Sequence, residues 1–389
     1  MKYIPSLDGV RGLCILAVML SHYGVFSFGG WLGVEIFFVL SGFLITAILL
    51  ESRTLPLRSY LGTFYMRRVL RIFPVYLATT GLFALIAFIK PHALPFFSHD
   101  GASLFTYTYN LVSAWRQLHI TTLLPATAYT HFWSLSVEEQ FYFVWPFLVF
   151  FLNEKWLRKL VLAVIVLAPL MRGLIGNAIA HNSGQVAAGI SLYVLTSTHL
   201  DSFMLGAALN LWSFSKVRAR TLCAVTGSLL IVSGLGHWWL IRSIYPGSSA
   251  FLGRTNLGFS PLVLSGWQHV WGYTVIALFG AGLIHWARKE SPRILTWRPL
   301  VHLGKVSYGA YIFHLPLLLL LVSVTGVKTN SISGLAFLPL YIGVVAVVAS
   351  ASFYAFEKRF LNLKKYFQYK PVPVGRTEID EPLQAAQAV

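Results

Sequence analysis

Charged residues are scarce in this chain: Asp, Glu, Lys and Arg make up 11% of its 389 residues, against about 25% in soluble globular proteins. Hydrophobic residues make up 56%. This composition excludes an ordinary soluble domain and predicts a membrane protein that is surrounded by lipid. The net charge of +17 does not indicate a nucleic-acid partner, because membrane proteins concentrate Lys and Arg in their cytoplasmic loops.

Cysteine is also rare. The only two cysteines, Cys14 and Cys223, both lie in apolar runs, so neither a disulfide framework nor a cysteine metal site is expected. The histidines of the connection at about 90–132 match no metal-binding spacing, and we expect no metal ion. A cleavable signal peptide is not predicted, because the first apolar run lacks a small-residue cleavage site and is interrupted by His22.

Long apolar runs, by contrast, recur along the whole chain. They predict an all-α polytopic protein of about ten transmembrane helices, at 9–27, 31–50, 69–89, 133–152, 157–175, 193–213, 221–240, 267–286, 306–325 and 334–355. In this topology 24 basic residues lie on the N-terminal side of the membrane and 6 on the other, so both termini are expected to be cytoplasmic. Residues 1–365 are predicted to form the membrane domain, and 366–389 a disordered cytoplasmic tail.

The first predicted helix carries a polar residue at each end of "RGLCILAVMLSH". Arg11 and His22 lie on one helix face, roughly 16 Å apart along the axis, so His22 is expected about halfway across the hydrocarbon. Glu35, near the start of the second helix, is expected beside it. A carboxylate that binds an imidazole fixes its tautomer, which makes His22 a candidate general base. The alternative is a polar pair that only joins two helices.

Two adjacent acids interrupt the aromatic segment "HFWSLSVEEQFYFVW". Glu138 and Glu139 are about 100° apart on a helix, so we expect only one to point into the bundle. Glu138 shares a face with Ser134 and Tyr142, and these two are predicted to contact the substrate. An aromatic belt at the outer interface would explain the aromatic residues of this segment, but not its acids.

A basic cluster, "YMRRVLRIFP", marks the inner start of the third helix. Arg68 and Arg71 are one turn apart and, together with Arg67, form a candidate phosphate clamp. The alternative is an ordinary cytoplasmic anchor. A base toward the outside and a phosphate site inside suit a long phosphorylated donor that hands a group across the membrane.

These segments, together with "SYGAYIFHLPL" at 307–317 and the closing "FEKRF", resemble the successive signatures of the membrane acyltransferase-3 family over almost the whole chain. The resemblance implies a bundle of about ten helices in the bacterial inner membrane. It also implies transfer of an acyl group, usually acetyl from cytoplasmic acetyl-coenzyme A, to hydroxyls of carbohydrates.

The family motifs fall on particular residues of this chain. Its Arg-x10-His motif falls on Arg11 and His22, its Arg-x-x-Arg motif on 68 and 71, and the acid of its Trp-Ser-Leu block on Glu138. The chain departs from the pattern twice: Glu35 stands where the family usually has Asp, and His199 stands two residues before Asp201, where Arg is common.

The expected function is therefore O-acetylation of a glycan or lipid-linked saccharide on the outer side. His22 would take the proton of the acceptor hydroxyl while Glu35 steers the imidazole, or His22 would carry the acyl group covalently. The alternatives are a small hydroxylated acceptor, or a transporter or flippase without chemistry. The predicted site comprises catalytic His22, Glu35 and Glu138, donor-binding Arg11, Arg67, Arg68 and Arg71, and substrate-binding Ser134 and Tyr142.

Overall fold

The computed structural model describes residues 3–90, 92, 94, 96–119, 127–214, 217–244, 259, 264, 267–329 and 331–369. These residues form helices and no strand, which confirms the predicted all-α class. The α-helices are α1 Pro5–His22, α2 Ser27–Glu51, α3 Leu57–Ile89, α4 Phe97–Phe105, α5 Tyr109–His119, α6 Trp133–Phe151, α7 Glu154–Ser183, α8 Gln185–Val194, α9 Leu200–Leu211, α10 Ala219–Ile244, α11 Gln268–Glu290, α12 Arg298–Lys305, α13 Ser307–Thr325, α14 Ile332–Ser352 and α15 Lys358–Asn362.

Membrane-spanning segments are prominent. Seven described segments are long and apolar enough to cross a bilayer: Ser27–Glu51, Leu57–Ile89, Glu154–Ser183, Ala219–Ser243, Gln268–Glu290, Ser307–Thr325 and Gly334–Tyr366. The predicted spans 9–27 and 133–152 fall on α1 and α6. The number ten and the cytoplasmic termini stay predictions. Residues 370–389 of the predicted tail lie outside the described residues.

The sixth predicted span, 193–213, is wrong as a continuous helix. After α8 the chain is extended at Leu195, passes through the 3-10 turn Thr196–Thr198, and re-enters a helix at Leu200. The unwound backbone has a partner inside the protein, because the Thr198 carbonyl accepts a hydrogen bond from Arg172 Nη1 at 2.6 Å. Such a break within a membrane bundle is tolerated where its polar groups are satisfied.

Helix α2 lies at the centre of the bundle and packs against α1, α6, α9 and α11. Its contact with α9 is very close: a Cβ atom on Gly42 would lie 2.0 Å from the Phe203 carbonyl oxygen, and one on Gly206 would lie 1.9 Å from that of Val39. Small residues allow two membrane helices to bring their backbones together. This contact holds the first half of α9 against the middle of α2.

The surface of the bundle is apolar where lipid is expected. Helix α7 exposes Val166, Leu170 and Leu174, and α10 exposes Val232 and Leu235. Because these positions lie on the sides of long apolar helices, their exposure fits contact with acyl chains. The all-helical fold and its apolar faces identify a polytopic membrane protein.

Candidate active site

A cavity of about 280 Å³ opens between α1, α2, α3, α6 and α13. Its size is close to the lower end of the range for small-molecule sites. The walls are apolar apart from a set of charged and hydroxyl side chains. Six of the predicted site residues line it: Arg11, Arg68, Arg71, Ser134, Glu138 and Tyr142.

The three cavity arginines differ in their partners. Arg11 Nη1 lies 2.7 Å from Asp8 Oδ1, so its charge is balanced by the preceding turn of α1. Arg68 lies 5.6 Å from the ring centre of Tyr142, and its Nε is buried without a hydrogen bond. Among the described residues, neither Arg68 nor Arg71 has an ion-pair partner within 4.0 Å. Two cations on the wall are therefore available to an anion.

Arg67 does not join this group, contrary to the predicted donor site. Its Nη1 donates to the carbonyl oxygens of Lys364 at 3.2 Å and Phe367 at 2.8 Å. Its guanidinium also lies 5.7 Å from the ring centre of Tyr369. Because neighbours on a helix point about 100° apart, Arg67 faces the segment after α15 while Arg68 faces the cavity.

The predicted polar stripe of α6 is present on the cavity wall. The Tyr142 hydroxyl lies 2.7 Å from Glu138 Oε1 and 3.0 Å from the Ser41 hydroxyl, and Ser41 also donates to Glu138 Oε1. One turn earlier, the Ser134 hydroxyl lies 2.5 Å from that of Tyr311. Residues four apart on α6 thus share one face, as their spacing predicts.

Glu139 also lines the cavity, so the prediction that only one of the two adjacent acids points into the bundle is wrong. The cavity borders a sector of α6 that is wide enough for both side chains. Within the described part of the chain, Glu139 Oε1 is buried without a hydrogen-bond partner. The cavity therefore combines two carboxylates with the arginines of α3.

The predicted pairing of Glu35 with His22 is wrong. Glu35 is fully buried and accepts hydrogen bonds from His199 Nδ1 at 2.6 Å and from the Ser202 hydroxyl at 2.5 Å. Its side of α2 faces α9, not the C-terminal end of α1. Glu35 and His199 are the two positions at which the chain departs from the family pattern, and their side chains contact each other. A longer acid, Glu in place of Asp, is thus paired with a shorter base, His in place of Arg.

A second buried pair lies beside the first. Arg172 of α7 binds both carboxylate oxygens of Asp201 at 2.9 Å, and both side chains are fully buried. Its remaining hydrogen bonds reach the Thr198 and Val270 carbonyls and the Thr274 hydroxyl. Every polar atom of this pair is used inside the protein, so it joins α7, α9 and α11.

His22 is the last residue of α1, is exposed, and does not line the cavity. Its Nδ1 lies 3.1 Å from the Val18 carbonyl and 3.3 Å from Nε2 of His314. His314 is the eighth residue of the 19-residue α13, so this contact places His22 level with the middle part of that helix. The depth of His22 in the membrane stays a prediction.

Two buried histidines that the sequence analysis missed complete this region. The His314 ring centre lies 4.6 Å from that of His131 and 4.9 Å from that of His22. Tyr311, whose hydroxyl donates to the His131 carbonyl at 3.0 Å, separates the group from the cavity. The signal was present, because "SYGAYIFHLPL" places Tyr311 and His314 on one face of α13. In the described part of the chain, no group of three or more His, Cys, Asp or Glu is placed to hold a metal ion.

Two known proteins with similar sequences are named as O-acetyltransferases. The peptidoglycan O-acetyltransferase OatA of Listeria monocytogenes is 29% identical over 96% of this chain and 60% of its own length. The O-acetyltransferase OatA of Staphylococcus aureus is 25% identical over 93% of this chain and 57% of its own length.

The chain thus spans less than two thirds of the length of these relatives. The comparison with solved structures finds no significant match. Residues 4–355 match the family described as an acyltransferase domain, and the chain belongs to that family.

Proposed function

We propose that this chain transfers an acetyl group from cytoplasmic acetyl-coenzyme A to a hydroxyl of a surface glycan outside the bacterial inner membrane. Peptidoglycan, or its lipid-linked precursor, is the first acceptor to test, because similar proteins carry that substrate in their names. The family membership and the lipid-facing helices support a membrane acyltransferase. Donor, acceptor and direction are part of the proposal.

The observation that carries this proposal is the cavity of unpaired cations. Arg68 and Arg71 are partly buried and border it without an ion-pair partner within 4.0 Å among the described residues, and a charge that is withdrawn from water without such a partner is unfavourable. Phosphate groups would satisfy both guanidiniums through charge-assisted hydrogen bonds. Coenzyme A supplies such phosphates together with a narrow thioester arm, which suits a cavity walled by apolar residues and hydroxyls.

A layer of rings, formed by Tyr311 and His314, separates His22 from the cavity. The Tyr311 ring centre is 5.4 Å from that of His314, which contacts His22, while the Tyr311 hydroxyl meets the cavity residue Ser134. A donor would thus occupy the cavity while the acceptor approaches the exposed imidazole. The acyl group must pass this layer, either directly or by way of a covalent acyl-His22 intermediate.

The chemistry of direct transfer needs one base. The acceptor oxygen attacks the thioester carbonyl, the C–S bond breaks, and coenzyme A leaves as a thiolate. His22 takes the hydroxyl proton and can return it to the thiolate. General base catalysis contributes about 10²–10⁴-fold to such a rate. Glu138, which Ser41 and Tyr142 hold by hydrogen bonds, supplies a carboxyl group at a fixed place in the donor cavity.

The test is mass spectrometry of surface glycans from cells that carry the full chain, the His22→Ala variant or the control variant His119→Ala. His119 is an exposed histidine of α5, outside the cavity. We expect one acetyl group per modified saccharide with the wild type and with His119→Ala, and almost none with His22→Ala. Equal acetylation by all three would contradict the role of His22, and an absence of acetyl-coenzyme A turnover by the purified protein would favour a transporter.

A further inference from the structure

We propose that His314 is a positioning residue that fixes the tautomer of His22 and leaves Nε2 of His22 as its reacting nitrogen. This inference rests on the proposed function, in which His22 is the base. It gives His314 the part that sequence reasoning gave to Glu35. The support comes from the hydrogen-bond partners of the two imidazoles.

The partners of His314 determine where its proton lies. Its Nδ1 is 2.6 Å from the Tyr311 carbonyl oxygen, and a carbonyl oxygen can only accept a hydrogen bond. Nδ1 therefore carries the hydrogen, and in a neutral imidazole Nε2 is then an acceptor. The ring is completely buried, and the Tyr341 hydroxyl donates to the His314 carbonyl at 3.2 Å. The acceptor nitrogen is thus held in a fixed place.

The same reasoning then applies to His22. Its Nδ1 faces two acceptors, the Val18 carbonyl oxygen at 3.1 Å and the acceptor nitrogen of His314 at 3.3 Å. Nδ1 must therefore carry the hydrogen and share it between them. Nε2 is left with a lone pair, and the residue is exposed, so this nitrogen is free to take a proton or an acyl group.

His119 offers a natural internal reference for the contribution of His314. Its Nδ1 lies 2.8 Å from the Trp115 carbonyl, the same four-residue step that joins His22 to Val18, and it is also exposed. In the described structure Nδ1 of His22 also contacts a second imidazole, whereas Nδ1 of His119 bonds the Trp115 carbonyl. A hydrogen bond from one ring nitrogen raises the basicity of the other, so His22 should be the more nucleophilic of the two.

The variants His314→Gln and His314→Asn test the contributions of the two ring nitrogens of His314 separately. Gln places an amide oxygen near the position of Nε2 and keeps an acceptor for His22. Asn places its amide nitrogen near the position of Nδ1, keeps the bond to the Tyr311 carbonyl, and does not reach His22. A purely structural role through Tyr311 predicts that Asn replaces His314, whereas the positioning role predicts that Gln does.

The probe is diethyl pyrocarbonate, which an unprotonated imidazole nitrogen attacks to form an N–C bond and release ethyl carbonate as ethanol and carbon dioxide. The purified full chain and both variants are treated without donor or acceptor. Mass spectrometry of the peptides then gives the rate at His22 relative to His119 in the same molecules. We expect this ratio to fall about five- to tenfold in His314→Asn and to stay near the wild-type value in His314→Gln.

Any other pattern overturns the proposal: equal ratios in all three proteins, a loss in both variants, or a loss in His314→Gln alone. Thermal unfolding identifies a variant that fails to fold. In that case the wild-type ratio of His22 to His119 decides, because the proposal requires it to exceed one. Since neither acetyl-coenzyme A nor a glycan acceptor enters this measurement, a failure of the proposed function leaves its result unchanged.

Discussion

The arginines of this protein stand in two contrasting surroundings. Arg172 is fully buried, and its guanidinium binds Asp201, two carbonyls and a hydroxyl. Arg68 borders the cavity, and its Nε is buried without a hydrogen bond. A buried charge whose hydrogen bonds are all made inside the chain holds helices together, whereas one that lacks partners can still bind a ligand.

The acids show the same contrast. Glu35 accepts hydrogen bonds from His199 and Ser202 and is fully buried. Glu139 lines the cavity, and its Oε1 has no hydrogen bond in the described part of the chain. Buried ionisable groups alone therefore do not mark the active site. The distinction is whether the surrounding protein already satisfies them.

The largest expected effect concerns Arg172, whose hydrogen bonds are all made inside the protein. Arg172→Ala leaves the Asp201 carboxylate buried without its cation, which should cost about 3–5 kcal/mol of stability. We expect a large drop in the midpoint of thermal unfolding in detergent. Arg158→Ala on the same helix is the control, because the Arg158–Glu154 pair is exposed and such pairs contribute about 0–1 kcal/mol. Equal midpoints for the two variants would contradict the contrast.

A smaller effect separates Glu35 from Glu138. Glu35→Gln keeps one acceptor oxygen but loses part of the bonds to His199 and Ser202, so stability should fall by about 1–3 kcal/mol. Its transfer activity per folded molecule should be largely kept. Glu138→Gln should give the reverse, with a nearly normal unfolding midpoint and reduced turnover. If Glu35→Gln instead abolished turnover in a stable protein, Glu35 would belong to the catalytic machinery.

The sequence predicted those parts of the site that depend on one helix. The stripe of Ser134, Glu138 and Tyr142 and the pair Arg68 and Arg71 follow from helical spacing alone. The partner of Glu35 depends on how α2 is rotated against its neighbours. Because α2 is apolar on nearly all sides, its sequence does not indicate which face meets α1 and which meets α9.

The missed histidines have a related cause. His131 and His314 come from segments far apart in the chain, and a single histidine in an apolar segment is usually a core residue. Only the packing of α13 against the start of α6 brings them together. The break between α8 and α9 was missed for the same reason, since the tertiary partner Arg172 stabilises it.

The smallest expected effect is within the cavity. Tyr142→Phe removes the hydroxyl that donates to Glu138 Oε1 at 2.7 Å, while Ser41 still binds the same oxygen. Loss of one such bond should lower turnover by about two- to tenfold. The unfolding midpoint should change little. A Tyr142→Phe variant with a strongly lowered midpoint and normal turnover would show that Tyr142 stabilises the fold and does not act in the site.

The most direct test of the central claim is the affinity of the purified full chain for coenzyme A, measured by calorimetry in detergent. Because the variant Arg68→Ala/Arg71→Ala cannot form either charge-assisted bond to phosphate, it should bind at least about a hundredfold more weakly. Arg67→Ala, which removes one positive charge from the adjacent position outside the cavity, should bind like the wild type. Equal affinities in all three proteins, or an equal loss in both variants, would contradict the claim that the unpaired cavity arginines bind the donor.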